Sequence, residues 1–132
     1  MPTKIDMIGL FVNDLPNMVG FYRDVLGFDI EWSGNGPYAE YFHQGVRFSM
    51  YERKELPGLL GQTPDYPAKL NGTFELAIEL PTSSEVDLEF AKVVHAGATP
   101  VYFPRLEPWG MYSSMIADPE GNLIEIGSHT HG

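Results

Sequence analysis

The chain has 132 residues, a common length for one domain, and 43% of them are hydrophobic. Eight Lys and Arg stand against 18 Asp and Glu, and the formal net charge of −10 argues against nucleic acid and anionic membrane surfaces as partners. The absence of cysteine excludes disulfides and thiolate metal sites, and no apolar run approaches the ~20 residues of a membrane span. The first residues lack the pattern of a secretory signal, so we expect a cytoplasmic protein.

The first half of the chain predicts a strand, a helix and three further strands. Residues 5–12 are apolar and β-compatible, and Asn13-Asp14 supply an N-cap for the helix that follows. Its apolar face is predicted to consist of Met18, Val19, Tyr22, Val25 and Leu26. Gly27 ends this helix. The three further strands, rich in aromatic and β-branched residues, are predicted at residues 28–33, 38–43 and 46–52.

The second half repeats this order after a Pro- and Gly-rich linker with a short helical turn, residues 54–71. Thr82 and Glu85 have the spacing of a capping box and begin a second helix, which Gly97 ends. We assign its apolar face to Leu88, Ala91, Val94 and His95. The predicted strands are residues 73–80, 99–105, 111–117 and 122–127.

The two halves align with each other as weak internal repeats, residues 1–53 and 72–128, of one domain. Met7 aligns with Glu75, Val12 with Leu80 and Tyr22 with Phe90, all at the same offset. Such a repeat indicates two copies of one βαβββ module.

Two motifs resemble the vicinal oxygen chelate superfamily, which includes glyoxalases, bleomycin resistance proteins and extradiol dioxygenases. The first is FYRDVLGF at residues 21–28, which resembles the family's helix-to-strand signature, and the second is DPEGN at residues 118–122 followed by LIEI, which resembles its final hairpin. The resemblance covers almost the whole chain. It implies an α+β fold in which two βαβββ modules form curved sheets around a cleft, and it leaves the reaction open.

In that family four cleft positions often hold a divalent metal, and the resemblance places them on Met7, Ser49, Glu75 and Glu125. The alignment at the second position can also slip toward Tyr51. Only Glu75 and Glu125 carry oxygen ligands suited to a metal, since a thioether is a soft ligand. We therefore expect no resident cofactor, with a divalent metal ion at the two glutamates as the alternative.

Strand alternation independently puts Met7, Glu75 and Glu125 on one kind of face, opposite the residues that pack on helices. Two carboxylates in a partly apolar cleft can hydrogen-bond a ligand or transfer a proton, and Glu75 and Glu125 are the catalytic candidates. Arg47 can instead neutralise one of them. The ligand-binding candidates are Met7, Arg47, Ser49, Tyr51, Trp109 and Tyr112.

The four histidines are weaker candidates. His43 is placed beside a turn, and His95 lies near a helix C-terminus, where an imidazole interacts favourably with the helix dipole. His129 and His131 belong to a terminal segment, which is poor ground for catalysis.

Three functions remain open from the sequence. The preferred one is a module that binds a small apolar or aromatic molecule without chemistry. The second is a metal-dependent lyase or isomerase of the glyoxalase I type, or a dioxygenase, that uses Glu75 and Glu125. The third is an interaction module with a vestigial cleft. We expect a homodimer because proteins of this family often pair their sheets across or within chains.

Overall fold

The computed structural model describes residues 2–42 and 45–130. The chain forms two compact units, Met1–Tyr66 and Pro67–Gly132, each with its own sheet. Across the residues described, no helix has both the length and the apolarity needed to cross a membrane. His43 and His131 lie outside the described residues.

In its described residues the first unit has three strands and two short α-helices. In chain order they are β1 (Met7–Val12), α1 (Leu15–Gly20), a π-helical turn (Phe21–Val25), β2 (Tyr38–Phe42), β3 (Arg47–Glu52), a 3₁₀ turn (Arg53–Glu55) and α2 (Leu56–Leu60). The sheet order is β1-β3-β2, with β1 parallel and β2 antiparallel to β3.

Helix α1 begins as predicted and covers one side of this sheet. The carboxylate of Asp14 accepts a hydrogen bond from the backbone N–H of Asn17 at 3.1 Å, which satisfies one of the unpaired donors of the first turn. The buried side chains below it come from the helix and from alternate strand positions, Leu10, Val12, Met18, Val19, Tyr22, Phe48 and Met50. Val25 and Leu26 are half-buried at the edge of this core.

The strand predicted at residues 28–33 is wrong. The segment contributes a single bridge, in which Glu31 and Glu40 exchange backbone hydrogen bonds of 2.8 and 3.1 Å. A tight turn precedes it, since the N–H of Ile30 donates to the carbonyl of Phe28 at 2.9 Å. This turn interrupts the extended backbone, so the aromatic composition of the segment serves packing and does not extend the sheet.

The second unit contains four strands and one long helix. They are β4 (Asn71–Glu79), α3 (Ser83–His95), β5 (Thr99–Leu106), β6 (Tyr112–Ala117) and β7 (Asn122–Ser128). The sheet order is β4-β7-β6-β5, with β4 parallel to β7 and the other pairs antiparallel. These strands match the predicted ones within two residues at each end. The mixed strands and helices confirm the predicted α+β fold class.

Helix α3 begins at the predicted cap, because the hydroxyl of Thr82 accepts from the N–H of Glu85 at 3.4 Å. Its predicted apolar face is wrong, however. The buried residues are Val86, Phe90 and Val93, whereas Leu88 is 72% exposed. Both sets have helical spacing, and the set with the larger and β-branched side chains buries more apolar area.

The hairpin between β6 and β7 closes around Asp118, which is buried. Its carboxylate accepts from the backbone N–H groups of Glu120 and Asn122 at 2.9 and 3.0 Å and from the side-chain amide of Asn122 at 2.9 Å. Gly121 has a φ of 86°, and a Cβ there would collide with the carbonyl of Lys69. The hairpin therefore requires glycine, and it fits closely against the chain that leads into β4.

Candidate functional site

The face of the first sheet opposite α1 is a grid of three cross-strand rows. Phe11, Tyr51 and Tyr38 form the first row, Gly9, Ser49 and Glu40 the second, and Met7, Arg47 and Phe42 the third. We call these nine residues the first face. In the middle row Gly9 and Ser49 are small, and a Cβ on Gly9 would lie 2.9 Å from the hydroxyl oxygen of Ser49. The hydroxyl of Tyr38 reaches across this row and lies 3.6 Å from the sulfur of Met7.

The aromatic row of the first face consists of rings in edge contact. The ring of Tyr51 lies 6.5 Å from that of Phe11 and 6.4 Å from that of Tyr38, with interplanar angles of 67° and 62°. Phe11 is 50% exposed and Tyr38 41% exposed. This row therefore presents aromatic surface within the first unit.

A polar network runs across the other two rows. The hydroxyl of Tyr38 donates to the carboxylate of Glu40 at 2.7 Å, and Arg47 donates to the same oxygen at 3.0 Å and also to Asp6. Burial, followed by the bond to Glu40, raises the pKa of Tyr38, and the bond from Arg47 lowers the pKa of Asp6. Ser49 is buried beneath this network. Arg47 thus has carboxylate partners on its own unit.

The corresponding face of the second sheet, opposite α3, is acidic. Glu125 is paired with Ala77 on one side and Met115 on the other, and Glu75 lies one diagonal step away on β4. Burial raises the pKa of Glu125, and the carboxylates of Glu75 and Glu107 raise it further, although His129 acts against them. The structure therefore brings together the two glutamates predicted from the sequence.

The sequence analysis missed a cluster on the same face at the edge strand β5. Glu107, only 7% exposed, accepts from Nε of Arg105 at 2.7 Å and from the hydroxyl of Ser113 at 3.4 Å. The hydroxyl of Tyr102 lies 3.1 Å from that of Ser113, and its ring lies under the guanidinium of Arg105 at 3.9 Å. Glu107 lies one residue beyond the end of β5, where strand alternation no longer assigns a face, so the sequence offered no signal for it.

We call the side of the second sheet opposite α3 the second face. Its members are Glu75, Ala77, Glu79, Tyr102, Arg105, Ser113, Met115, Ala117, Leu123, Glu125 and Gly127, with Glu107 at its border.

Four of the predicted ligand-binding residues, Met7, Arg47, Ser49 and Tyr51, lie on the first face, and the other two lie on neither face. Tyr112 donates its hydroxyl to Asp87 of α3 at 2.7 Å, so it lies on the helix side of the sheet. That bond raises the pKa of Tyr112. Trp109 is 68% exposed on the turn between β5 and β6. His129 pairs loosely with Glu79 at 3.7 Å, and His95 is exposed near the end of α3.

Comparison with known proteins identifies the family. The model of the glyoxalase/bleomycin resistance protein/dioxygenase superfamily matches residues 4–126. The chain belongs to this superfamily. An uncharacterized protein of Mycobacterium bovis is 31% identical over 123 residues, covering 89% of this chain and 78% of that protein. The sequence resemblance to this superfamily is thereby confirmed.

Two further similarities are informative about the range of the superfamily. The catechol-2,3-dioxygenase of Bacillus subtilis is 31% identical over 100 residues, which cover 72% of this chain and 33% of that protein. The crystal structure of a glyoxalase-related enzyme from Fulvimarina pelagi superimposes with a TM-score of 0.82 at 22% identity, covering 96% of this chain and 88% of that one. This second similarity shows the fold.

Members of this superfamily often use divalent metals, so the donor atoms matter. The ligand positions that the sequence resemblance assigned to the first face are Met7, a thioether, and Ser49, a buried hydroxyl. Those that it assigned to the second face are the carboxylates of Glu75 and Glu125. No group of three or more His, Asp or Glu that suits a metal occurs within residues 2–42 and 45–130. These donors do not fit a tightly held transition metal, which takes imidazole or thiolate in addition.

Proposed function

We propose that this chain binds a small, neutral molecule with an aromatic or apolar group on the first face. The observation that carries this proposal is the partly exposed aromatic row of Phe11, Tyr51 and Tyr38, whose rings lie in edge contact. Binding sites for small molecules combine aromatic walls with a few placed polar groups, and here the polar groups are Ser49, Arg47 and Glu40.

Charge on the first face favours a neutral ligand over an anionic one. The single cation of the network, Arg47, already bonds the carboxylates of Asp6 and Glu40. Both terminal nitrogens of Arg47 are therefore occupied, so the network offers no guanidinium fork to an added anion, and its excess negative charge would repel one. A ligand hydroxyl or amide is better suited, because the Glu40 carboxylate accepts hydrogen bonds.

A neutral fluorescent dye, N-phenyl-1-naphthylamine, tests the proposal by titration. We expect Tyr51→Ala to weaken dye binding about tenfold, the equivalent of about 1.4 kcal/mol, because the central ring of the row is lost. The matched control is Phe103→Ala, which removes a 70% exposed ring that packs on Phe90 on the helix side of the second sheet. Equal affinity in wild type and Tyr51→Ala would overturn the proposal.

A second candidate function is supported by Glu125. A half-buried carboxyl with a raised pKa is suited to accept and return a proton, as a lyase or isomerase requires. The test is isomerisation of the hemithioacetal formed by methylglyoxal and glutathione. If this candidate is correct, Glu125→Gln lowers kcat by about 10²–10⁴-fold, because proton transfer is lost. Absence of turnover in the wild type rules this reaction out.

Metal content separates both candidates from a metal-dependent enzyme. After dialysis of untagged protein against mixed divalent ions, we expect far less than one ion per chain. About one ion per chain, lost in both Glu75→Ala and Glu125→Ala, would contradict this expectation and favour the metal-dependent alternative.

A further inference from the structure

Arg105 is the one cation of the second face, and the residues around it fix its orientation. It lies opposite Ser113 on the edge strand β5, on the same side of the sheet as Glu125. Its Nε donates to Glu107 at 2.7 Å, and its guanidinium carbon lies 3.9 Å from the centre of the Tyr102 ring. A hydrogen bond at one edge and a ring beneath the plane leave the guanidinium little freedom to rotate.

Glu107 is unusual because it is a carboxylate that is almost entirely buried. A buried charge needs a partner, and Arg105 supplies it, with a second bond from the hydroxyl of Ser113. Tyr102 extends this arrangement, since its hydroxyl lies within hydrogen-bond distance of Ser113. The four side chains thus form one connected cluster within the second unit.

The terminal nitrogens of Arg105 remain available in this arrangement. The side chain is 57% exposed although its Nε is bound, and within the part of the chain that the structure describes no hydrogen bond engages the two terminal nitrogens. A guanidinium presents its N–H groups as a planar fork, which matches the two oxygens of a carboxylate. Tyr102 and Met115 provide apolar surface beside it.

We propose that Arg105 is a recognition site for a planar monoanion, such as the carboxylate of a small aromatic acid, and that Glu107 is its positioning residue. This site goes beyond the proposed function, because it lies on the other unit and selects a different chemical group. Glu75 and Glu125 share the face and repel any anion, so binding depends on the two terminal nitrogens of Arg105, and a dianion such as phosphate meets stronger repulsion than a carboxylate. The ligand class is therefore a small acid with an apolar or aromatic body.

The test compares benzoate with benzamide, which has nearly the same shape but no charge. Dissociation constants are measured by ligand-observed NMR titration. For wild type we expect benzoate to bind at least about tenfold more tightly than benzamide. Arg105→Gln should reduce this ratio to about one. Arg105→Lys, which keeps the positive charge and loses the planar pair of N–H groups, should give an intermediate preference for benzoate over benzamide. Arg23→Gln removes an exposed arginine of the first unit and should leave the ratio unchanged.

Glu107→Gln distinguishes positioning from simple charge. If Glu107 merely competed with the ligand for Arg105, its neutralisation would tighten benzoate binding. If it positions the guanidinium, the ratio falls, as we expect, and it should fall without loss of the folded circular dichroism spectrum.

The proposal would be overturned if the wild type bound neither probe or bound both equally. It would also be overturned by an unchanged ratio in Arg105→Gln or by tighter benzoate binding in Glu107→Gln. Inorganic phosphate that binds better than benzoate would do the same. The dye titration with Tyr51→Ala reports the first face separately, so failure of one proposal is distinguishable from failure of the other.

Discussion

Each sheet carries a glycine directly opposite a serine on its exposed face, Gly9 opposite Ser49 in the first unit and Gly127 opposite Ser113 in the second. The surroundings of the two pairs differ. In the first unit an aromatic row and a bonded arginine flank the pair, and in the second unit glutamates and the Arg105 cluster flank it. Two similar scaffolds thus present different chemistry, because a strand position can change its outward side chain without disturbing the helix-packed side.

The cores of the two units should respond alike to mutation, and this gives the largest expected effect. Tyr22 is fully buried and the aligned residue Phe90 is 4% exposed. Replacement of either by Ala should lower the free energy of unfolding by about 3–5 kcal/mol, because a large cavity is created. Chemical denaturation measures both values. A cost below about 1 kcal/mol at one site would contradict the equivalence of the two cores.

Replacement of Gly9 and of Gly127 by Ala should destabilise the two units to different extents. A Cβ on Gly127 would lie 2.5 Å from the Met111 methyl and 3.2 Å from a backbone carbonyl, whereas a Cβ on Gly9 would meet chiefly the Ser49 hydroxyl at 2.9 Å. We expect Gly127→Ala to cost about 2–3 kcal/mol and Gly9→Ala about 1 kcal/mol, because a serine hydroxyl rotates away more easily than backbone moves. Thermal unfolding of both variants, with Gly58→Ala as a control in open space, measures this order. The reverse order would contradict the packing described for the second face.

The acidic character of the second face should appear in the pH dependence of stability. The folded pKa of Glu125 is raised, so this residue favours the folded state at pH below the ordinary value for Glu, and that contribution is lost as pH rises through the folded pKa. Glu125→Gln should therefore raise Tm relative to wild type increasingly between about pH 4 and pH 7.

On the first face Glu40→Gln should lower Tm at neutral pH, since Glu40 bonds Arg47 and Tyr38. Calorimetry from about pH 4 to pH 7 measures both changes in Tm. If Tm rose in both variants or fell in both, the proposed difference between the two faces would be wrong.

The smallest expected effect concerns the outer side of α3. Leu88 is 72% exposed, so Leu88→Ser should change the free energy of unfolding by less than about 0.5 kcal/mol, while Val86→Ser, two residues earlier and fully buried, should be strongly destabilising. Urea denaturation of the pair checks this. A large decrease in the free energy of unfolding for Leu88→Ser would instead support the buried helix face that the sequence predicted.

The sequence predicted the fold well where local chemistry and periodicity agreed. The caps at Asp14 and Thr82 and the turn at Asp118 are satisfied by their own neighbours in the chain, so spacing alone revealed them. The strand prediction for residues 28–33 was wrong because aromatic residues are common both in strands and in packed loops. The prediction of the buried face of α3 was wrong because the helix has two apolar stripes, and only tertiary packing determines which one is buried.

The candidate site was predictable in part for a similar reason. Alternation placed Glu75 and Glu125 on one face, because a two-residue period survives in any strand. The sequence did not predict Glu107 as a site residue, because its role depends on its burial and on its ion pair with Arg105. Burial of a charged residue beyond the end of a strand has no sequence signature. Tyr112 was a ligand-binding candidate whose side of the sheet the sequence left open, and its bond to Asp87 on α3 joins elements far apart in sequence.

The parallel pairing of β4 with β7 has a consequence for synthesis. In the described sheet β4 is an edge strand whose strand neighbour is β7, the last strand of its unit to be made. While the ribosome is still translating the intervening residues, the backbone groups of β4 stay unpaired, and the unit closes late through contacts between distant parts of the chain. The first unit follows the same scheme, because β1 is an edge strand that pairs in parallel with β3, the last strand of that unit, so chaperone demand during translation should fall on both units.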